Sequence, residues 1–204
     1  MSDIYPLSMV ISILTFAFTM AMTPGPNNAL FLSSGLTFGY RATIPHIIGV
    51  IIGFPLMTFF VGIGLGELFQ TYPIIFQVLK IMSFAYLLWM AYHMTQIKGG
   101  LGNNKKRDKP LTFIQAVLFQ WVNPKAWIMA ISSISVFTTS IDNKFSQLLI
   151  VTFLYFIVGF VSTNFWTLGG VLLKKFITSQ KVVHIINLIL AFVMVASVLP
   201  FMLH

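Results

Sequence analysis

Lys125 stands in Trp121-Val122-Asn123-Pro124-Lys125-Ala126-Trp127, as the only charged residue between positions 111 and 138. A lysine deep in an apolar run cannot reach water by extending its side chain, so it needs either a partner or a task. One hundred residues earlier, Thr23-Pro24-Gly25-Pro26-Asn27-Asn28 interrupts a second run, residues 4–40, which carries no charge at all. Proline removes a backbone N–H and clashes with the preceding turn, and glycine is the poorest helix former after proline. A helix that restarts after such a break presents free N–H groups and the positive end of its dipole. One cation, two restarted helices and the amides of Asn27, Asn28 and Asn123 suit non-covalent recognition of a carboxylate, with the asparagines available to an ammonium or other polar groups. Plainer roles stay open: a proline kink tolerated by its neighbours, and a lysine paired with carbonyls freed at Pro124. Asn164, with Ser162, Thr163 and Thr167, adds a polar patch that either lines a cavity or hydrogen-bonds between helices.

The elements that must position these residues are membrane spans. Of 204 residues, 57% are hydrophobic and 8% charged, against about 25% charged in soluble domains. Apolar runs predict six spans near 6–38, 43–66, 73–95, 111–138, 146–172 and 183–203, the first and fourth broken. No segment is left over for a soluble domain. Residues 1–204 read as one transmembrane unit: a three-span half (about 1–97), a basic loop (about 98–110) and a second three-span half (about 111–204). The N-terminal run carries Asp3 and is too long for a leader, so it reads as a first span.

Loop charges orient the bundle. Arg41, then Lys98, Lys105, Lys106, Arg107 and Lys109 against Asp108, then Lys174, Lys175 and Lys181 mark one side. Lys80 and Lys144, with Asp3, Glu67 and Asp142, lie toward the other. Positive residues accumulate in the cytoplasm, which puts both termini outside. Thr23-Pro24 and Asn123-Pro124 each sit midway along the first span of their half, and Ser33 and Ser133 share the same offset. Three spans per half force the second half upside down. The expected fold is therefore all-α and membrane-integral, with six transmembrane helices in two inverted three-helix repeats and broken helices one and four.

Several function classes drop out. The net charge of +8 follows from topogenic loops and calls for no nucleic acid. The Gly99-Gly100-Leu101-Gly102 cluster lacks the Gly-Lys-Ser/Thr ending of a phosphate loop. Zero cysteines exclude disulfides and thiolate metal sites. His46, His93, His184 and His204 are scattered near predicted span ends without ligand spacing, so no metal is expected. His46 and His93 have two readings, cytoplasmic-side proton carriers or interfacial packing. Glu67 reads as solvated, with proton handling as the alternative. No acid or histidine lies where it could activate a serine, so no enzyme, catalytic residue or cofactor is expected. Gly49 and Gly53, followed by Gly62, Gly64 and Gly66, suit close helix packing, either within the chain or in a homodimer.

With these residues in hand, the chain resembles the lysine-exporter (LysE/RhtB-type) superfamily of amino-acid efflux proteins. Thr23-Pro24-Gly25-Pro26-Asn27, Gly39-Tyr40-Arg41-Ala42, Gly49 with Gly53, Gly64-Leu65, Ala85-Tyr86-Leu87-Leu88-Trp89 and Asn123-Pro124-Lys125-Ala126 occur in the order that family shows. The resemblance implies a multi-pass protein of the bacterial inner membrane. It would export amino acids from the cytoplasm, driven by the proton motive force, without a soluble cofactor. Many members carry an acid directly after the second glycine of the Gly-x-x-x-Gly pair; here that residue is Phe54. Its absence favours a small neutral substrate over lysine or arginine. Phe119-Gln120-Trp121-Val122-Asn123 and Thr163-Asn164-Phe165-Trp166 are similar to the cysteine/O-acetylserine exporter subgroup. Export of basic amino acids or another small solute, and a membrane scaffold without a transport cycle, are the alternatives.

Overall fold

Pro24 and Pro26 supply no N–H, so the carbonyls of Met20 and Met22 lose the bonds a continuing helix would have made. The first helix ends there. In the computed structural model, which describes residues 6–96, 109–139, 142–177 and 179–203, α1 (Leu7–Met22) stops at an extended Thr23. The chain then bends by 58° into α2 (Pro26–Phe38). Thr23 softens the loss by donating its hydroxyl to the Met20 carbonyl at 2.8 Å. Gly39, at φ 84°, adopts a backbone that L side chains resist, and it turns α2 directly into α3 (Tyr40–Phe60). A π-helical turn, Val61–Leu65, carries α3 on into α4 (Gly66–Thr71). α5 is Pro73–Gln96.

The second half starts with α6 (Phe113–Trp121), whose end Thr112 and Gln115 close as a reciprocal capping box. A break at Val122–Asn123 follows, and α7 (Pro124–Phe137) restarts with proline in its first turn. α8 (Lys144–Phe176), α9 (Gln180–Ala196) and the short α10 (Leu199–Leu203) complete the chain. The described residues contain no strand. Both predicted breaks are present, and each predicted apolar run coincides with a helix or helix pair. Among the described residues three helical stretches are long and apolar enough to cross a membrane, and the bent α1–α2 pair makes a fourth; α7 and α9 are apolar but shorter. Most of the basic loop with its glycine cluster, Asp3 and His204 lie outside the described residues.

Bare backbone contact decides how the helices pack. A Cβ on Gly35 would run into the Thr167 carbonyl of α8, and one on Gly170 into the Leu32 carbonyl of α2. α2 and α8 therefore cross with their main chains touching. Gly49 and Gly53 do for α3 and α6 what their spacing suggests: added Cβ atoms would lie 2.6 Å from the Phe113 carbonyl oxygen and 2.9 Å from Val117 Cα. Ile13, Met57, Trp127, Val151 and Tyr155 join α1, α3, α7 and α8 in one buried cluster. Leu87, Met90, Ala191 and Met194 join α5 to α9, with Ala29 of α2 beside them. Phe31, Ile47, Val50 and Ala116 join α2, α3 and α6.

Outside these clusters the helices show apolar side chains to their surroundings, among them Phe153, Ile81 and Phe192. Such a surface suits lipid and would aggregate in water. Glu67 and Lys144, which loop charge puts on one side, meet as an exposed ion pair at 3.3 Å.

Candidate functional site

The two breaks meet. Lys125 reaches from the start of α7 across to the end of α1, where Nζ donates to the Thr23 carbonyl at 2.7 Å, the Thr23 hydroxyl at 2.8 Å and the Pro24 carbonyl at 3.3 Å. An ammonium has three N–H bonds, and these three oxygens match them. The carbonyls it holds belong to the Pro24 break rather than to its own at Pro124. Gly25 is small for a local reason, since a Cβ there would sit 2.7 Å from Lys125 Cδ.

Side chains satisfy the other carbonyls loosened at the end of α1. The Asn28 amide donates to Ala21 and Thr23 at 2.8 and 2.7 Å, and the Ser162 hydroxyl of α8 donates to Ala21 at 3.0 Å. Asn28 thereby uses both amide hydrogens and can still offer Oδ1 as an acceptor. Asn27 pairs with Gln120 of α6: its amide donates to Oε1 at 2.9 Å, and Gln120 also donates to the Ala116 carbonyl.

The second break is closed by its own residues. Asn123 caps α7, its side-chain oxygen accepting from the Lys125 N–H at 3.2 Å. The indole N–H of Trp127 donates to the Trp121 carbonyl at 2.9 Å. The start of α2 differs. Gly25 precedes it without a side-chain cap, and the first helical bond is Ala29 N–H to Gly25. The Asn27 and Asn28 N–H groups face forward without helical partners, at the positive end of α2.

Gly25, Asn27, Asn28, Asn123 and Lys125 line one cavity of about 570 Å3 of atom-free space, counted out to its mouth. Its apolar walls come from Phe31, Val50, Phe54, Met129, Tyr155 and Val158. Tyr155 is held by a hydrogen bond to Ser133, and its ring meets Phe54 edge-on at 4.9 Å. The lining residues include one cation and no acid. Such a cavity can hold a small anion or zwitterion by charge and N–H donors, with an apolar face for its side chain.

Asn164 is elsewhere. It accepts from the Tyr40 hydroxyl and donates to the Phe160 carbonyl at 2.7 Å, fastening α8 to the α2–α3 turn, while its neighbours Ser162 and Thr163 do line the cavity. Thr23 and Pro24 take part through oxygens that hold Lys125; Pro26 and Pro124 take part by starting helices. Gln120, Phe31 and Tyr155 went unselected in the sequence. Gln120 left a usable signal, an amide in an apolar stretch, and the structure buries it wholly; the two aromatic residues left none, since lipid-facing phenylalanines surround them. Ser33 bonds Asn187 and Ser133 bonds Tyr155, so the shared offset of the two serines does not carry a shared contact. Among the described residues no group of histidines or acids could hold a metal.

The family model for the LysE type translocator matches residues 18–203. A cysteine/O-acetylserine efflux protein of Salmonella paratyphi A is 30% identical over 162 residues, covering 79% of this chain and 82% of that protein. Proteins described in the same words from Klebsiella pneumoniae and Escherichia coli O1:K1 are 28% and 27% identical, over 82% and 89% of this chain and 85% and 91% of their own. No solved structure matches. The match over nearly the whole chain, with the relatives' similarity, establishes that this protein belongs to the LysE type translocator family.

Proposed function

We propose that the protein is a proton-motive-force-driven exporter of small neutral amino acids, working by alternating access from the cytoplasm across a bacterial inner membrane. One observation carries this reading: the cavity where both broken helices meet offers Lys125 and the bare start of α2, and no acid. A substrate carboxylate fits there, with its ammonium toward Asn28 Oδ1. The substrate class named for the relatives, cysteine and O-acetylserine, has the size and neutral side chain that Phe54, Met129 and Tyr155 would accept. A lysine or arginine side chain would find no carboxylate.

Six crossings in two inverted halves, forming one transport unit with both termini outside, are part of the proposal. In their support, α1 packs on α8 as α6 packs on α3, and α3–α8 and α5–α9 pair elements of the same rank in each half. Lys125 then bridges the halves. A carboxylate is a stronger partner for an ammonium than a peptide carbonyl. Substrate binding would draw Lys125 from Thr23 and Pro24 and loosen the tie between halves as they rock.

The test is efflux from cells fed a panel of dipeptides, with and without the protein. Faster appearance of neutral amino acids is expected. Lys125→Ala should cut it by about 10- to 100-fold, the equivalent of losing a charged hydrogen bond of roughly 1.5–3 kcal/mol, at unchanged membrane abundance. The three bonds from Lys125 to the α1 break also favour a second reading, a static strut in a non-transporting scaffold. Lys125→Ala would then lower abundance, and no amino acid would leave faster.

A further inference from the structure

A second cavity, of about 1260 Å3 of atom-free space, opens beside the first. α2, α3, α5 and the start of α6 surround it, and Lys109 stands among its lining residues. Lys109 belongs to the basic loop, so by loop charge this is the cytoplasmic side. His46 of α3 lines this inner cavity, and Phe31 of α2 lines the central one. The two rings stack on each other, centroids 4.1 Å apart and 20° from parallel. Each is only 1% exposed. The wall between the cavities is therefore, at this point, two aromatic rings thick.

His46 is unusual in what it lacks. Among the described residues neither ring nitrogen has a hydrogen-bond partner, although buried polar atoms are nearly always paired. A tightly packed imidazole with both nitrogens idle is held there by its face. An imidazolium in the same slot would be a buried charge without a partner, which costs several kcal/mol. It would lower its energy by swinging into the inner cavity, toward solvent. α2 could not follow, since its glycine crossing with α8 pins it.

We propose that the Phe31–His46 stack is the inner gate of the transport path and that protonation of His46 opens it. The inference rests on the exporter reading and supplies what that reading lacks, a titratable residue at a point where the path must open and close. His46 is a positioning residue: it acts through Phe31 and does not touch substrate.

The other titratable groups around it are few. α5 brings Tyr86 and His93 to the inner cavity, and the segment before α6 brings Lys109. α2 and α6 bring none to either cavity, while α7 and α8 bring Lys125 and Tyr155 to the central one. On α8, Lys174 bonds the Thr37 carbonyl near the end of α2, and on α3 Arg41 is exposed. His93 is exposed and packs edge-on against Trp89 at 4.3 Å. It is the other histidine lining the inner cavity, so His93→Gln is the necessary control.

The chain has no cysteine, which permits a test independent of substrate. Met129→Cys places one thiol in the wall of the central cavity. Inside-out vesicles expose the cytoplasmic face to a membrane-impermeant maleimide. Each labelling rate is divided by that of the unfolded chain at the same pH, to remove the thiol's own titration. Between about pH 8 and about pH 6, where a histidine swung toward solvent gains its proton, the corrected rate should rise up to about fourfold. His46→Phe keeps an aromatic stack that cannot be charged and should label slowly at every pH. Phe31→Ala should label fast at every pH, and His93→Gln should behave like the parent.

A parent rate indifferent to pH, or a rise that persists in His46→Phe, overturns the gate. His46→Gln provides a second uncharged variant should the phenylalanine fail to fold, with a flat profile expected. Failure of the exporter reading shows separately. It appears as no amino-acid efflux from cells, whether or not labelling depends on His46.

Discussion

Lys125 holds Thr23 and Pro24 with all three of its N–H bonds, and that makes it more than a charge in a cavity. In the proposed cycle a substrate carboxylate competes with those oxygens, so that binding and release of the α1 break become one event. The neighbouring Phe54 has a different part. It lies in the cavity wall, against Tyr155, where in the proposed pose an acid would face the substrate's side chain. We expect Phe54→Asp to reduce efflux of neutral amino acids and to give measurable lysine efflux in the dipeptide-fed cells. A variant that keeps the parent's neutral selectivity would show that this position does not set it. The asparagines divide similarly. Asn28 closes carbonyls loosened at the end of α1, whereas Asn27 ties α2 to Gln120 of α6.

Helices in this protein meet through glycine, and the positions differ sharply in what they tolerate. At Gly35 and Gly170 an added Cβ would collide with backbone, which cannot move aside as a side-chain end can. Gly169, one residue away, would place its Cβ 3.4 Å from Leu32 Cδ1, an ordinary contact. Gly170→Val should therefore lower thermal stability in detergent by the equivalent of about 1–3 kcal/mol or more, and reduce membrane abundance. Gly169→Ala should change neither. Equal effects at the two positions would mean that the α2–α8 crossing is looser than its geometry. The crossing matters for transport because it fixes α2, leaving ring motion at Phe31 and His46 as the lighter route between the cavities.

Across the whole molecule, the proposed halves are related by contacts more than by sequence. Each broken pair sends its first helix against the long helix of the opposite half. The balance is uneven: α2 lies along α8 much more extensively than α7 lies along α3. In the proposed orientation the more extensive contacts fall in the cytoplasmic half, as a closed Phe31–His46 gate requires. Tags at the two ends should both react from outside in intact spheroplasts. Protection of either end would reverse or break the proposed topology, and with it the assignment of the inner cavity.

The amino-acid order alone determined the apolar runs, the two breaks and the glycine pairs. These follow from local chemistry: proline lacks an N–H wherever it stands, and a run of uncharged side chains is apolar in any fold. Lys125 and the asparagines were legible as well, because a polar group in such a run is rare. Which oxygens Lys125 would hold was a matter for the tertiary structure, since Thr23 and Pro24 lie a hundred residues away and only helix packing brings them within 3.3 Å. The same packing set Asn164 apart from the cavity and drew Gln120 toward it. It also turned Phe31 and His46 face to face. Nothing in their neighbours distinguishes one phenylalanine among 21, because a stack between helices depends on the register of their crossing rather than on either sequence.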